Sequence, residues 1–275
     1  MKPFLKTKDY LVSHENFDLL YDEKLDMLIT SPQPEILNTY YESEKYISHS
    51  DSKKTFLDKI YQLVKKYNLA LKIRLLNKHQ PEKKELLDIG AGTGDFLNEA
   101  KKNGWSSNGV EPNLKARKLA CDKNIYLHEN LTNLKGKQFE AITLWHVLEH
   151  LPDLNSQIKT ITDLLTENGL LIIAVPNFKS FDAKYYKSFW AAFDTPRHLW
   201  HFSKKSIPLL FEKYGMKVIN TKGMYFDSFY VSLLSEKHKT GKSNFIKALF
   251  IGLSSNIKAL LTGEYSSIIY ILKRA

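Results

Sequence analysis

A glycine loop set between two differently patterned segments constrains this chain more than any other feature. In ELLDIGAGTGDFLNEAKKNG, residues 85–104, Glu85 to Ile89 forms a short apolar run, glycines follow at 90, 92 and 94, and Phe96 to Asn103 is helical in character until Gly104. Strand, tight loop and helix in that order let backbone amides approach a ligand closely and leave a helix N-terminus free to face it. A nucleotide-like ligand follows. The dinucleotide fingerprint G-x-G-x-x-G comes nearest, but the third glycine arrives one residue early and Asp95 holds its place.

The flanking pattern gives the loop its context. Apolar residues from Phe56 to Leu75 recur three or four apart, predicting an amphipathic helix over 52–78 that ends near Pro81. Beyond the loop, Ser107 to Pro112 reads as a second strand, Leu114 to Lys123 as a helix and Ile125 to His128 as a third strand. Phe139 to Trp145 is a fourth, Leu154 to Leu165 a helix capped by Asn168 and Gly169, and Leu170 to Val175 a fifth strand stopped by Pro176. Ile207 to Tyr214, Met216 to Asn220 and Ser267 to Leu272 continue as helix, strand and final strand. The expected fold class is α/β, a doubly wound, mostly parallel seven-stranded sheet with an N-terminal extension and a C-terminal helical insertion. The expected division is an extension over 1–51 and a main domain over 52–275, itself split into a cofactor half, 82–176, and a substrate-side half, 177–275. Asp88 lies two residues before the loop, and Glu111 ends the second strand, placed to accept from both hydroxyls of a ribose.

LLDIGAGTGDFL followed by GVEPN resembles motifs I and II of the class I S-adenosylmethionine-dependent methyltransferases, over roughly residues 86–175. The resemblance implies that Gly90, Ala91, Gly92 and Gly94 lie along the methionine and ribose of the cofactor, with Asp88 on the ammonium side and Glu111 with Pro112 at the ribose. Glu129 and Asn130 stand where the family offers an acid or amide to the adenine. LWHVLEHLPDL resembles the segment after the fourth strand in the branch that includes ubiquinone-type O-methyltransferases, which puts Trp145 and His146 on the cofactor rim and makes His150 a second candidate base. FDTPRHLWHFS, residues 193–203, resembles a "PxHLxxFS" segment of the same branch. It implies a substrate-side wall of Trp190, Phe193, Arg197, Trp200 and His201, with Arg197 either ordering the turn together with Asp194 or meeting an anionic group, and with His198 either the first candidate for general base or a ring that only hydrogen-bonds the loop into position.

Competing readings are weaker. His146-x-x-Glu149-His150 has the spacing of a zinc hydrolase, yet Pro152 breaks the required helix; no metal is expected, and a divalent ion held by Glu149 and His150 is the lesser alternative to their packing the loop. Cys121, the only cysteine, excludes an internal disulfide. The resemblance extends to residues 10–51, where some relatives carry a cysteine-paired zinc ribbon; those cysteines are absent here, so a metal-free remnant is expected, with Tyr40, Tyr41, Tyr46 and His49 over the cofactor or packed within it. TGKS at 240–243 imitates a phosphate loop, but Glu236 occupies the place of the required glycine.

Charge is uneven: of a net +10, residues 176–275 alone carry 16 basic against 6 acidic side chains. Phe245, Leu249, Leu253, Ile257 and Leu260, with Lys242, Lys247 and Lys258, describe an amphipathic basic helix, either packed on the sheet or a partner subunit or touching a membrane surface. MKPFLKTKDYLV holds no apolar run of signal-peptide length, so the expected location is cytoplasmic. The expected activity is methyl transfer from S-adenosylmethionine to a small-molecule hydroxyl, with anionic or lipid-like acceptors in view. An RNA or protein methyltransferase and a non-catalytic cofactor-binding protein are the alternatives; no nucleic-acid module supports the former.

Overall fold

Alternation along the strands divides the core between two faces of one sheet. In a computed structural model describing residues 1–41, 56–80, 82 and 84–275, Leu86, Leu170, Ile172 and Ala174 point to one side, and Leu87, Leu171, Ile173 and Val175 to the other. The first side is covered by helix α1 (Phe56–His79), through Ile73, Leu75 and Leu76, and by α2 (Asp95–Lys102), through Phe96, Leu97 and Ala100. The second is covered by α4 (Leu154–Asp163) and α6 (Ser206–Glu212). Helix α3 (Leu114–Cys121) starts at Asn113, whose side chain accepts from the Ala116 amide.

The sheet runs β5-β4-β6-β7-β10-β9, with β4 (Glu85–Ile89), β5 (Ser106–Val110), β6 (Phe139–Trp145) and β7 (Leu165–Pro176) mutually parallel. β10 (Ser267–Arg274) enters antiparallel between β7 and β9 (Met216–Gly223). Among the described residues this sheet has six strands, not the expected seven. Residues 125–128 reach the β5 edge only at His128, which bridges to Val110, since Asn124 at φ 58° turns the chain immediately before and Tyr126 stays in solvent. Asn168 and Gly169 do not cap a helix. They lie inside β7, where register against β6 jumps between Phe139 and Ala141, and a Cβ on Gly169 would meet Leu165 at 2.5 Å.

Residues 1–31, irregular by pattern, form three antiparallel strands, β1 (Lys2–Lys8), β2 (Asn16–Asp22) and β3 (Met27–Ser31). The two-residue strand β8 (Trp200–His201) completes a second sheet by pairing with β3. A third cluster joins this sheet to the C-terminal half, with Leu19 and Leu28 against Tyr186, Trp190 and Phe193. Tyr46 and His49 lie outside the described residues.

The helical insertion between β9 and β10 consists of α7 (Asp227–Thr240) and α8 (Phe245–Thr262). Its apolar stripe is not packed on the sheet, one of the two expected placements. Small residues of α8, Ala248, Gly252, Ser255 and Ala259, with Ile251, are buried, while every large apolar residue of the predicted stripe faces solvent.

Candidate active site

The C-terminal ends of β4, β5 and β6 open into a cleft of about 1930 Å³, the position at which parallel α/β sheets place ligands. Gly90, Glu111, Pro112, Glu129, Asn130 and His146 line it; Asp88, Ala91, Gly92, Gly94 and Trp145 do not. Gly90 and Gly94 are required by close packing as well as by positive φ. A Cβ on Gly90 would approach Val147 Cγ2 to 2.3 Å, and one on Gly94 would reach Ala120 and Ile125 at 3.1 Å, whereas one on Gly92 would meet nothing within 4 Å. The loop is therefore clamped at both ends and open at its middle.

Glu111 ties that open middle to the next turn. Its Oε2 accepts the Gly92 amide at 2.8 Å and its Oε1 the Asn113 amide at 2.9 Å, leaving lone pairs on both oxygens for further donors. Asn130 receives the Thr132 amide, and exposed Glu129 meets Arg117 at 3.3 Å.

Beneath the loop, burial pushes Asp88 up to about 7, although the Thr143 hydroxyl donates to it and Lys72 pulls the other way. Lys72 is a site residue that no motif announced. It comes from α1, its Nζ sits 4.4 Å from the centroid of the Trp145 ring, and burial lowers it to about 8 against the opposing pull of Asp88 and Asp227. The only hint was a lysine on the inward side of an amphipathic helix.

The segment after β6 gathers the histidines. His146 has φ 58° and stands between carboxylates, Nε2 3.1 Å from Asp227 and Nδ1 3.5 Å from Glu149. Burial alone would lower it, but these two acids raise it to about 10. Asp227 was not anticipated, since it reaches the rim from the first turn of α7. His150 Nδ1 lies 3.0 Å from both the Arg197 carbonyl and the Tyr41 hydroxyl. A carbonyl only accepts, so Nδ1 carries the proton and Nε2 is left as a lone pair. The same holds for His198, whose Nδ1 faces the Ala192 carbonyl at 2.9 Å. Glu149, 1% exposed, accepts no geometrically formed hydrogen bond among the described residues beyond its ion-pair contact with His146. Ligand atoms of Glu149, His150 and His198 lie within 4.8 Å of one another, a set that could hold a metal ion. Burial and the neighbouring His198 lower His150 to about 4, so it is a weak proton acceptor near neutrality.

The substrate-side residues require correction. Arg197 does not reach toward an acceptor: 1% exposed, it meets Asp194 at 2.7 Å and Asp9 at 2.9 Å and donates to the Tyr40 carbonyl. Trp190 donates to buried Asp182, with Phe193 edge-on against it, and Trp200 donates to the Leu151 carbonyl. His201 faces the Thr30 hydroxyl at 2.9 Å, and burial lowers it far below its ordinary range. None of these five, nor His198 itself, lines the cleft. The wall opposite the glycine loop is instead supplied by Gln33 to Leu37, Tyr41, Leu151 and Leu199. Of the extension's tyrosines, Tyr41 lines the cleft, while Tyr40 turns outward to Glu15.

A Rossmann-like sheet with a glycine loop and a cleft-lining carboxylate at its C-terminal edge has the form of a nucleotide-cofactor protein. Within that class, a methyltransferase-domain model matches residues 57–221, more than half of the chain, and the chain belongs to that family. The fold is shared with magnesium protoporphyrin IX methyltransferase from Synechocystis PCC 6803 with bound SAH, at TM-score 0.57 and 15% identity, covering 86% of this chain and 97% of that one. It is shared with a SAM-dependent methyltransferase from Archaeoglobus fulgidus, at TM-score 0.50 and 18% identity, covering 78% and 99%. Phosphoethanolamine N-methyltransferase 2 from Haemonchus contortus, in complex with S-adenosyl-L-methionine, matches at TM-score 0.51 and 17% identity, covering 76% and 52%. No curated protein sequence matches the chain.

Proposed function

We propose that this chain moves a methyl group from S-adenosylmethionine to the hydroxyl of a small molecule, with His198 taking the proton. The observation that carries the donor assignment is Glu111, a carboxylate with spare acceptor capacity held against the open middle of the glycine loop inside the cleft. Asp88 and Lys72, a buried acid and cation beneath the loop, suit the ammonium and carboxylate of a methionine, and Glu129 or Asn130 the adenine. The unpartnered indole N–H of Trp145 is a further donor beside them.

Bound there, the sulfonium supplies an electrophilic methyl carbon. The chain's residues align and deprotonate the acceptor: its oxygen lone pair forms the new carbon–oxygen bond as the sulfur–carbon bond breaks, and the proton leaves to His198 Nε2. The Ala192 carbonyl orients that ring, and the Glu149 carboxylate, shared with His146, is a counter-charge near the imidazolium. His150, neutral at pH 7, lies edge-on to His198 with ring centroids 4.5 Å apart, between it and the cleft. It relays the proton or admits the acceptor by rotating.

Titration calorimetry with S-adenosylmethionine, its demethylated product and NAD tests the donor, and turnover against a panel of hydroxylated acceptors tests the reaction. Heat from NAD with none from the other two would overturn the reading. Donor binding without any turnover would leave a binding protein.

A further inference from the structure

Helix α8 turns its apolar side outward. Ile246, Leu249, Phe250, Ile257, Leu260 and Leu261 are between 55% and 91% exposed, and their spacing of three and four sets them in one stripe. Contiguous patches of this kind on a folded chain mark contact surfaces. By length and composition the helix, mean hydropathy 1.3, is able to cross a membrane, yet 28% of it is buried against the protein. Gly252 packs so tightly on Phe229 that a Cβ would meet it at 2.6 Å, its carbonyl accepts from Ser228, and Ser255 donates to buried Asp182. These contacts hold α8 lengthwise on the body of the protein, as an in-plane helix requires.

Charge decides what covers the stripe. Residues 237–262, from the end of α7 through α8, contain five lysines and no acid; Lys237, Lys239, Lys242 and Lys258 are exposed. Among the described acids nearby, Glu236 and Asp182 are buried and partnered by Lys247 and by Trp190 with Ser255. A second copy docking on the same face would bring lysine against lysine, whereas an anionic surface meets both the stripe and its rim.

We propose that α8 and its lysines form a docking surface for a membrane rich in anionic phospholipid, seating the protein with α8 in the headgroup layer. Asp227 at the start of α7 touches His146 on the cleft rim, so the helix pair that meets the lipid also borders the cleft, and an acceptor dissolved in the membrane is the kind such seating would serve.

Flotation with vesicles tests this, using phosphatidylcholine alone and phosphatidylcholine mixed with phosphatidylglycerol. The full chain is expected to float with the mixed vesicles at low salt and to be released by high salt. Lys237→Glu with Lys242→Glu should cost on the order of tenfold or more in vesicle affinity, and Leu249→Gln with Phe250→Gln, at solvent-facing positions, should abolish flotation. Calorimetry with S-adenosylmethionine on the same variants, expected unchanged, shows that they fold and separates this proposal from the assignment of the cleft. Absence of flotation, or equal flotation with neutral vesicles, would overturn it. So would a dimer in sedimentation that the glutamine pair dissociates while vesicles stay unbound.

Discussion

The Glu111 carboxylate grips the Gly92 amide at 2.8 Å across the mouth of the cleft, joining the end of β5 to the loop that follows β4. Loop shape and the proposed ribose contact thus share one side chain. Glu111→Ala should weaken S-adenosylmethionine binding by about 1–3 kcal/mol, the cost of hydrogen bonds to a charged group. Calorimetry reads it, and unchanged affinity would sink the ribose assignment.

His198→Ala separates chemistry from binding. Loss of a general base costs roughly a hundredfold or more in rate, while cofactor affinity should hold because His198 does not line the cleft. Near-normal turnover would dismiss it as base; a loss of affinity without a loss of kcat would make it structural.

The Arg197 cluster should appear in stability. Removing one member of a buried ion pair leaves the other charged and unpaired, at a cost of about 3–5 kcal/mol. Arg197→Leu strands Asp9 and Asp194 together, so a drop of that size in urea denaturation is expected, and Asp9→Asn should cost less because Asp194 remains to pair the guanidinium. A fully stable Arg197→Leu protein with a raised acceptor KM would restore Arg197 as a binding residue.

His146 gives a pH dependence of known sign. Its folded value, raised to about 10 from 6.5, means that its stabilising contribution is complete below 6.5 and disappears as pH climbs through about 10. The denaturant midpoint of the protein should therefore fall over that interval more steeply than that of Asp227→Asn, which lacks one of the two carboxylates. Identical slopes would rule out the Asp227 pairing.

Where function rests on local spacing, the sequence was readable. GAGTG and Glu111 lie within one strand-loop-helix-strand passage, so their meeting follows from chain geometry, and Leu86 against Leu87 already declares two buried faces. Glu149, His150 and His198 were each visible, but their convergence depends on residues 193–199 folding back over the segment after β6, which no periodicity encodes. The three N-terminal strands were missed because each is five to seven residues long and little of β1 is buried. The Arg197–Asp194 contact is local and legible in the turn, but the pairing that withdraws Arg197 from the cleft is with Asp9, 188 positions away. In α8 the hydrophobic period was legible but not which way the stripe would face, because that is decided by Gly252, which lets Phe229 of α7 come close, and by Ser255, which reaches buried Asp182.

The place of β10 bears on how the molecule is made. A chain leaving the ribosome has completed β7 and β9 long before residues 267–274 emerge, yet each lacks a neighbour until that strand slides between them. During this interval two strand edges stay open, a hazard for wrong pairing. Emergence of residues 267–274 is therefore the event that closes the sheet, and a nascent chain cut short before Ser267 would present itself to proteases and chaperones as unfinished, whatever the state of its cofactor cleft.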